Sequence, residues 1–186
     1  MRKLGVFNHI SLDGYFVDKK GQMSWAKAHQ DSEWNSFVTE NAKGGGELVF
    51  GRVTYEMMAS FWPTPQAAQM MPEVAERMNN LPKIVFSRTL EKATWNNTKL
   101  IKGDLVGEVR HLKEESGDDM VIMGSGTIIA QLARAGLIDS YQFVINPLVL
   151  GAGRTMFQDI PDHLNFSLKG SRAFGNGNVV LTYEAS

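Results

Sequence analysis

A glycine-rich turn that directly follows an apolar run is the clearest chemical signal in this sequence. The run Met120-Val121-Ile122-Met123 is followed by Gly124, Ser125, Gly126 and Thr127, and from Ile128 onward the apolar residues fall on one helical face. A strand, a glycine turn and a helix bring free N–H groups and the positive end of a helix dipole to one point. The segment therefore predicts an anion site. A tight turn capped by Ser125 or Thr127 is the alternative.

Two further apolar runs end in residues that suit a phosphate. Gly51, Arg52 and Thr54 follow the run Glu47-Leu48-Val49-Phe50 and place a guanidinium and a hydroxyl beside the start of a helix. The alternative is a surface arginine with a capping threonine.

The third such end belongs to the run Lys83-Ile84-Val85-Phe86. Ser87, Arg88 and Thr89 follow it and place two hydroxyls around an arginine. This arrangement suits a phosphate monoester, because a guanidinium and hydroxyls all donate hydrogen bonds to its oxygens. A polar loop with a solvated arginine is the alternative.

Proton transfer requires an acid near this site, and Asp13 is the first candidate. It ends the first apolar segment, where it could donate a proton or anchor an amino-substituted heterocycle. The alternative is that Asp13 and Gly14 only form a turn. Asp31, Glu33 and Glu40 on the next helical segment are alternative acids, unless they only face solvent.

Composition and local motifs exclude several other functions. The 186 residues suit one domain spanning 1–186, and a net charge of −1 provides no general attraction to nucleic acid or membranes. The absence of cysteine excludes thiolate chemistry and cysteine metal ligands. With no signal-peptide pattern, we expect a cytoplasmic protein. We expect no metal site, because metal-ligand spacing is absent from the four histidines, His9, His29, His111 and His163.

The elements that must position these residues alternate along the chain. We predict strands at 4–12, 47–51, 83–86, 98–102, 120–123 and 138–150, with helices starting near 31, 52, 66, 104 and 128. Two runs around Gly175-Asn176-Gly177-Asn178 predict a C-terminal antiparallel hairpin, and 15–29 is expected to be a loop. The pattern predicts an α/β protein with a mixed, mainly parallel sheet that helices cover on both faces. Its strand ends would share one cleft.

Five motifs spread along the chain carry a resemblance to a known family. Together they resemble the dihydrofolate reductase-like superfamily, and within it the bacterial bifunctional deaminase-reductase C-terminal domain family of riboflavin biosynthesis. The motifs are Ser11-Leu12-Asp13-Gly14-Tyr15, Gly51-Arg52-Val53-Thr54-Tyr55-Glu56, residues 83–90, Gly124-Ser125-Gly126, and Pro147-Leu148-Val149-Leu150-Gly151-Ala152-Gly153 with Phe157.

The resemblance implies a three-layer sandwich that binds NADPH and acts as a homodimeric reductase. It implies that residues 51–54 and 124–128 hold the cofactor phosphates and that residues 87–89 hold the phosphate on the adenosine ribose. The implied reaction is hydride transfer to a pteridine-like or ribosylamino-pyrimidine-like heterocycle. A nucleotide-binding sensor without turnover is the alternative.

The substrate and the proton donor stay open at this point. Riboflavin-pathway reductases carry an acid shortly before a proline after the first phosphate turn, whereas this chain has residues 57–62 without an acid before Pro63. Asp13, Asp31 and Glu33 are therefore all retained as candidate donors.

Overall fold

Short apolar runs that alternate with amphipathic segments build one large sheet and its helices. The computed structural model describes residues 1–26, 31–158, 160–161 and 163–186. The strands within these residues are β1 (Leu4–Ser11), β2 (Tyr15–Asp18), β3 (Glu47–Gly51), β4 (Lys83–Phe86), β5 (Thr98–Ile101), β6 (Met120–Met123), β7 (Ser140–Asn146), β8 (Gly153–Thr155), β9 (Phe166–Ala173) and β10 (Val179–Ala185). The helices are α1 (Ser32–Lys43), α2 (Arg52–Phe61), α3 (Pro65–Met70), α4 (Pro72–Asn80), α5 (Leu105–Glu114) and α6 (Gly126–Arg134). Among these helices, none combines the length and apolarity needed to cross a membrane.

The large sheet has the strand order β5-β4-β3-β6-β1-β7-β10-β9. Neighbouring strands from β5 to β7 are parallel, whereas β10 runs antiparallel to β7 and β9 antiparallel to β10. The predicted mixed, mainly parallel sheet with a C-terminal antiparallel hairpin is therefore confirmed. The carboxyl ends of β4, β3, β6 and β1 lie side by side at one edge of this sheet.

Helices cover both faces because the central strands are apolar on both sides. In β3, Val49 packs into one core with α5 and α6, while Leu48 and Phe50 pack into a second core with α2 and α4. Strand β4 divides in the same way, with Ile84 in the first core and Val85 in the second. The predicted three-layer sandwich is confirmed.

Three local predictions need correction. The single helix expected near 66–79 is two helices, α3 and α4, because Pro72 begins the second and Met71 before it leaves helical geometry (φ −146°, ψ 68°). The expected loop at 15–29 contains β2, which pairs with β8 in a separate two-stranded sheet; His29 lies outside the described residues. The strand predicted over 4–12 ends one residue earlier, at Ser11, and Leu12 beyond it is 64% exposed.

A buried lysine is the first residue of β4 and lies at the amino ends of the parallel strands, away from their carboxyl ends. Lys83 is 1% exposed, and its ammonium donates to the carbonyl groups of Leu81 (2.6 Å), Asn96 (3.0 Å) and Asn79 (3.1 Å). It also lies 4.6 Å from the centre of the Trp95 ring. Burial lowers the pKa of Lys83 from 10.5 to about 8.

This pKa predicts a pH-dependent stability. Between about pH 8 and 10 the unfolded chain keeps the Lys83 proton that the folded protein releases, so the free energy of unfolding gains a contribution that rises with pH. Urea denaturation at pH 7, 8, 9 and 10 measures it. The rise should be steeper in the wild type than in Lys83→Met, which isolates this group from other titrations. Equal slopes would contradict the prediction.

Candidate functional site

A cavity of about 310 Å³ lies across the carboxyl ends of the parallel strands. Its lining includes the turns that follow β3, β4, β5 and β6, together with residues of β2 and β8. Nine of the predicted site residues line it: Gly51, Arg52, Thr54, Ser87, Arg88, Ser125, Gly126, Thr127 and Ile128. Asp13, Thr89 and Gly124 are outside the lining.

Side-chain hydrogen bonds join the turn after β3 to the turn after β6. The Ser125 hydroxyl oxygen accepts from the Gly51 N–H at 2.7 Å and lies 3.1 Å from the Thr54 hydroxyl oxygen. Thr54 in turn accepts from the Ser125 N–H at 3.1 Å and is 8% exposed. The Thr54 hydroxyl, predicted to bind an anion, and the Ser125 hydroxyl, considered as a helix cap, therefore bond to each other and hold the two turns together.

A buried asparagine forms hydrogen bonds to the turn after β6 and holds it in place. Asn8 on β1 is 2% exposed; its Oδ1 accepts from the Gly124 N–H at 2.6 Å and its Nδ2 lies 3.3 Å from the Gly124 oxygen. In the sequence, Asn8 is the polar residue among the apolar ones at alternate positions of the first predicted strand. This polar residue on an apolar strand face was the sequence signal for its role, because a buried amide needs hydrogen-bond partners.

Two helix N-termini at the cavity have no side-chain cap. Helices α2 and α6 begin after Gly51 and Ser125 without such a cap, whereas α1, α3 and α5 are capped by Asp31, Thr64 and Asp104. In α6, the N–H groups of Gly126 and Thr127 form no hydrogen bond to the described residues. Donors left free at a helix N-terminus suit an anion.

Glycine keeps this second turn compact. A Cβ at Gly126 would lie 2.7 Å from the Phe16 ring, and one at Gly124 would lie 2.7 Å from the Thr54 side chain. Gly124 also has φ +66°, and Ser125 adopts the left-handed region with φ +60°. A larger residue at position 124 or 126 would therefore clash with its neighbours, and at position 124 it would also strain the backbone.

The cavity is cationic. Three arginines line it, Arg52, Arg88 and Arg154, against one carboxylate among its described lining residues, Asp104. That carboxylate accepts from the Gly107 N–H at 2.7 Å as the cap of α5. Arg154 was missed by sequence reasoning, because the three-residue strand β8 is too short to show a period.

Asp13 lies outside the cavity lining and has an anchoring role. Its Oδ1 accepts from the Ser11 hydroxyl (2.6 Å) and the Leu150 N–H (3.1 Å), and its Oδ2 accepts from the Gly151 N–H (2.7 Å). The Ser11 hydroxyl, followed by the backbone donors, lowers the pKa of Asp13. A general acid works best with a pKa near the working pH, so this setting favours an acceptor over a donor. Catalysis by Asp13 stays a prediction.

The other two acids are also engaged in structure. Asp31 caps α1, accepts from the Asn176 N–H at 2.9 Å, and has a pKa lowered mainly by the Trp34 N–H. Glu33 pairs with Arg172 at 2.8 Å. The aromatic side chains in the described cavity lining are Phe16 and Phe86.

A mainly parallel sheet with helices on both faces and a cavity across its carboxyl ends is the architecture of the dihydrofolate reductase-like superfamily. Dihydrofolate reductase from Enterococcus faecalis, complexed with NADP(H), superimposes with a TM-score of 0.64 at 16% identity, over 99% of this chain and 96% of that one. The RibD C-terminal domain family matches residues 2–180, and the chain belongs to this family.

Two further solved structures are similar. A protein from Shewanella sp. PV-4, described provisionally as a riboflavin biosynthesis protein, has 25% identity and a TM-score of 0.75 over 99% of both chains. A diaminohydroxyphosphoribosylaminopyrimidine deaminase/5-amino-6-(5-phosphoribosylamino)uracil reductase from Thermotoga maritima has 14% identity and a TM-score of 0.68. That match covers 100% of this chain and 57% of the Thermotoga chain.

The close contact between the two turns predicts that a methyl group added at Gly124 destabilises the protein. Gly124→Ala adds a Cβ that meets Thr54 at 2.7 Å, on a backbone with φ +66°. Gly136→Ala is the matched control, because its φ is +64° and nothing lies within 4 Å of the added Cβ. Both variants carry the left-handed backbone cost, but only the first is overpacked. Gly124→Ala should therefore lower the free energy of unfolding by about 1–3 kcal/mol more in urea denaturation. Equal losses would contradict the tight contact between the turns.

Proposed function

We propose that this protein is an NADPH-dependent reductase of a pteridine-like or ribosylamino-pyrimidine-like heterocycle. The observation that carries the proposal is the cationic cavity into which two uncapped helix N-termini open. Free N–H groups, helix dipoles and guanidinium groups together favour a ligand with several negative charges. A dinucleotide phosphate carries several negative charges along its length. The hydrogen-bond donors of the cavity are likewise distributed along it.

The residues at each strand end suit one part of the cofactor. The N-termini of α2 and α6, with Arg52, would hold the diphosphate. Ser87, Arg88 and Thr89 would hold the ribose phosphate: Arg88 is exposed in the lining, and the Ser87 oxygen accepts from the Leu90 N–H at 2.9 Å, which orders the loop. Gly51 lets the turn after β3 pack closely against the turn after β6, since a Cβ there would meet Ser125 at 3.2 Å.

The bound cofactor would supply a hydride, and the protein residues would orient the two rings and exclude water. Apolar side chains at the β2 end of the cavity, Phe16, Val17 and Met23, provide such a wall. The family supports a reaction of the riboflavin-biosynthesis type, and two relatives are named as a dihydrofolate reductase and a pyrimidine reductase. This supports a flat, nitrogen-rich substrate.

We further propose that the protein is cytoplasmic and forms a homodimer. Light scattering after size exclusion tests the oligomeric state.

A second candidate is a nucleotide-binding sensor without turnover. It is favoured by the observation that Asp13, Asp31 and Glu33 are all engaged in structural hydrogen bonds or ion pairs. NADPH oxidation at 340 nm with dihydrofolate, and separately with the ribosylamino-pyrimidine, distinguishes the two functions. Turnover with either substrate supports the reductase. Tight NADPH binding with neither substrate reduced supports the sensor.

Arg88→Ala tests the assignment of the ribose phosphate. Loss of a charge-assisted contact should weaken NADPH binding roughly 10- to 100-fold and leave NADH binding nearly unchanged, because NADH lacks that phosphate. Titration calorimetry with both cofactors measures the preference. The control is Arg110→Ala, an exposed arginine on α5 outside the cavity lining. If Arg88→Ala keeps the wild-type preference for NADPH, the assignment of residues 87–89 is refuted.

A further inference from the structure

We infer that Arg154 is a further cofactor-binding residue, which contacts the phosphate on the nicotinamide side of the diphosphate, and that Asp13 positions it. The inference rests on the proposed function, because it assumes that the cavity binds NADPH. It assigns to Asp13 a role different from proton donation.

The surroundings of Arg154 indicate a side chain prepared for an anion. Its guanidinium carbon lies 5.9 Å from the centre of the Phe16 ring, and its Nη2 would be 3.8 Å from a Cβ at Gly21. The guanidinium therefore lies next to Gly21, which also lines the cavity. Among the described residues, none forms an ion pair or a hydrogen bond with the Arg154 side chain.

Arg154 also lies where two cavities meet. It lines the 310 Å³ cavity and an adjoining one of about 170 Å³, and the two share the wall formed by Gly126, Thr127 and Gln131 of α6. The unused N–H groups of Gly126 and Thr127 belong to this shared wall. A phosphate bound at the start of α6 would therefore lie beside the Arg154 guanidinium.

The sheet order separates Arg154 from Arg88. Arg88 follows β4, whereas the β2 residues beside Arg154 follow β1, and β3 and β6 lie between these two strands. Three inter-strand steps of about 4.8 Å give roughly 14 Å between the two strand ends. The two arginines therefore reach the cavity from strand ends that lie well apart in the sheet. Arg88 suits the ribose phosphate and Arg154 suits the diphosphate near the nicotinamide.

Asp13 controls where Arg154 is held. Arg154 belongs to β8, which pairs with β2 in a ribbon of only three and four residues, and such a ribbon is marginal by itself. The Asp13 carboxylate accepts from Leu150 and Gly151, just before β8, and from the Ser11 hydroxyl, whose oxygen accepts from the Tyr15 N–H at the start of β2 (3.0 Å). One carboxylate thus joins the chain segments that lead into both strands of the ribbon.

Calorimetry with two ligands tests the role of Arg154. NADPH carries the whole diphosphate, whereas adenosine 2′,5′-bisphosphate lacks the nicotinamide-side phosphate and retains the ribose phosphate. Arg154→Gln should weaken NADPH binding roughly tenfold or more and leave binding of the bisphosphate within twofold. Arg88→Gln should weaken both. Arg134→Gln, which alters an arginine of the smaller cavity alone, should weaken neither.

The results separate this inference from the proposed function. Wild-type protein that fails to bind NADPH would refute the proposed function, and the inference with it. Wild-type binding with an unchanged NADPH affinity in Arg154→Gln, or equal weakening of both ligands in that variant, would refute the inference alone. Circular dichroism melting confirms that each variant is folded.

The positioning role of Asp13 needs a second readout. Asp13→Asn replaces one acceptor oxygen with an NH₂ group, so the two backbone donors before β8 can no longer both be satisfied. This variant should also weaken NADPH and spare the bisphosphate, and the double variant with Arg154→Gln should bind NADPH no more weakly than Arg154→Gln alone. Additive losses, or weakening of both ligands by Asp13→Asn, would overturn the role of Asp13.

Discussion

The hydrogen bond from the Gly51 N–H to the Ser125 hydroxyl holds together the two turns on which the site depends. The turns belong to β3 and β6, which are neighbours in the sheet although 74 residues separate the two groups in the chain. Thr54 completes the junction by accepting from Ser125, and Asn8 fixes Gly124 from the core side. Because of this junction, the N-termini of α2 and α6 open into one cavity.

At this junction, side-chain caps would stabilise the helices, whereas an anion would need the helix N–H groups to be free. A side-chain cap at a helix N-terminus contributes typically about 1 kcal/mol, and both α2 and α6 lack one. Ser125 adds the cost of a left-handed backbone. The hydroxyl of Ser125, the N-cap residue of α6, instead bonds across the junction to Gly51 and Thr54. The helix donors are thereby left to an anionic ligand, while buried hydrogen bonds keep the turns in place.

The sequence predicted the parts of this structure that depend on local patterns. Apolar runs located β3, β4 and β6 closely, and most of the predicted residues just after them line one cavity, with Thr89 and Gly124 outside it. The roles of Ser125 and Thr54 could not be predicted, because a bond between turns 71 residues apart leaves no local signal. Arg154 was missed for the same reason: its place at the cavity comes from the pairing of two very short strands. Asp13 was correctly located at the end of a strand, but its acceptor role depends on Leu150 and Gly151, far along the chain.

The central claim is that the joined turns after β3 and β6 hold the diphosphate of a dinucleotide. A crystal structure of the protein with NADPH tests this claim most directly. The account predicts diphosphate density between the N-termini of α2 and α6, with phosphate oxygens in hydrogen-bond contact with the N–H groups of Gly126 and Thr127. Density for the diphosphate elsewhere, with both helix N-termini facing only water, would contradict the account.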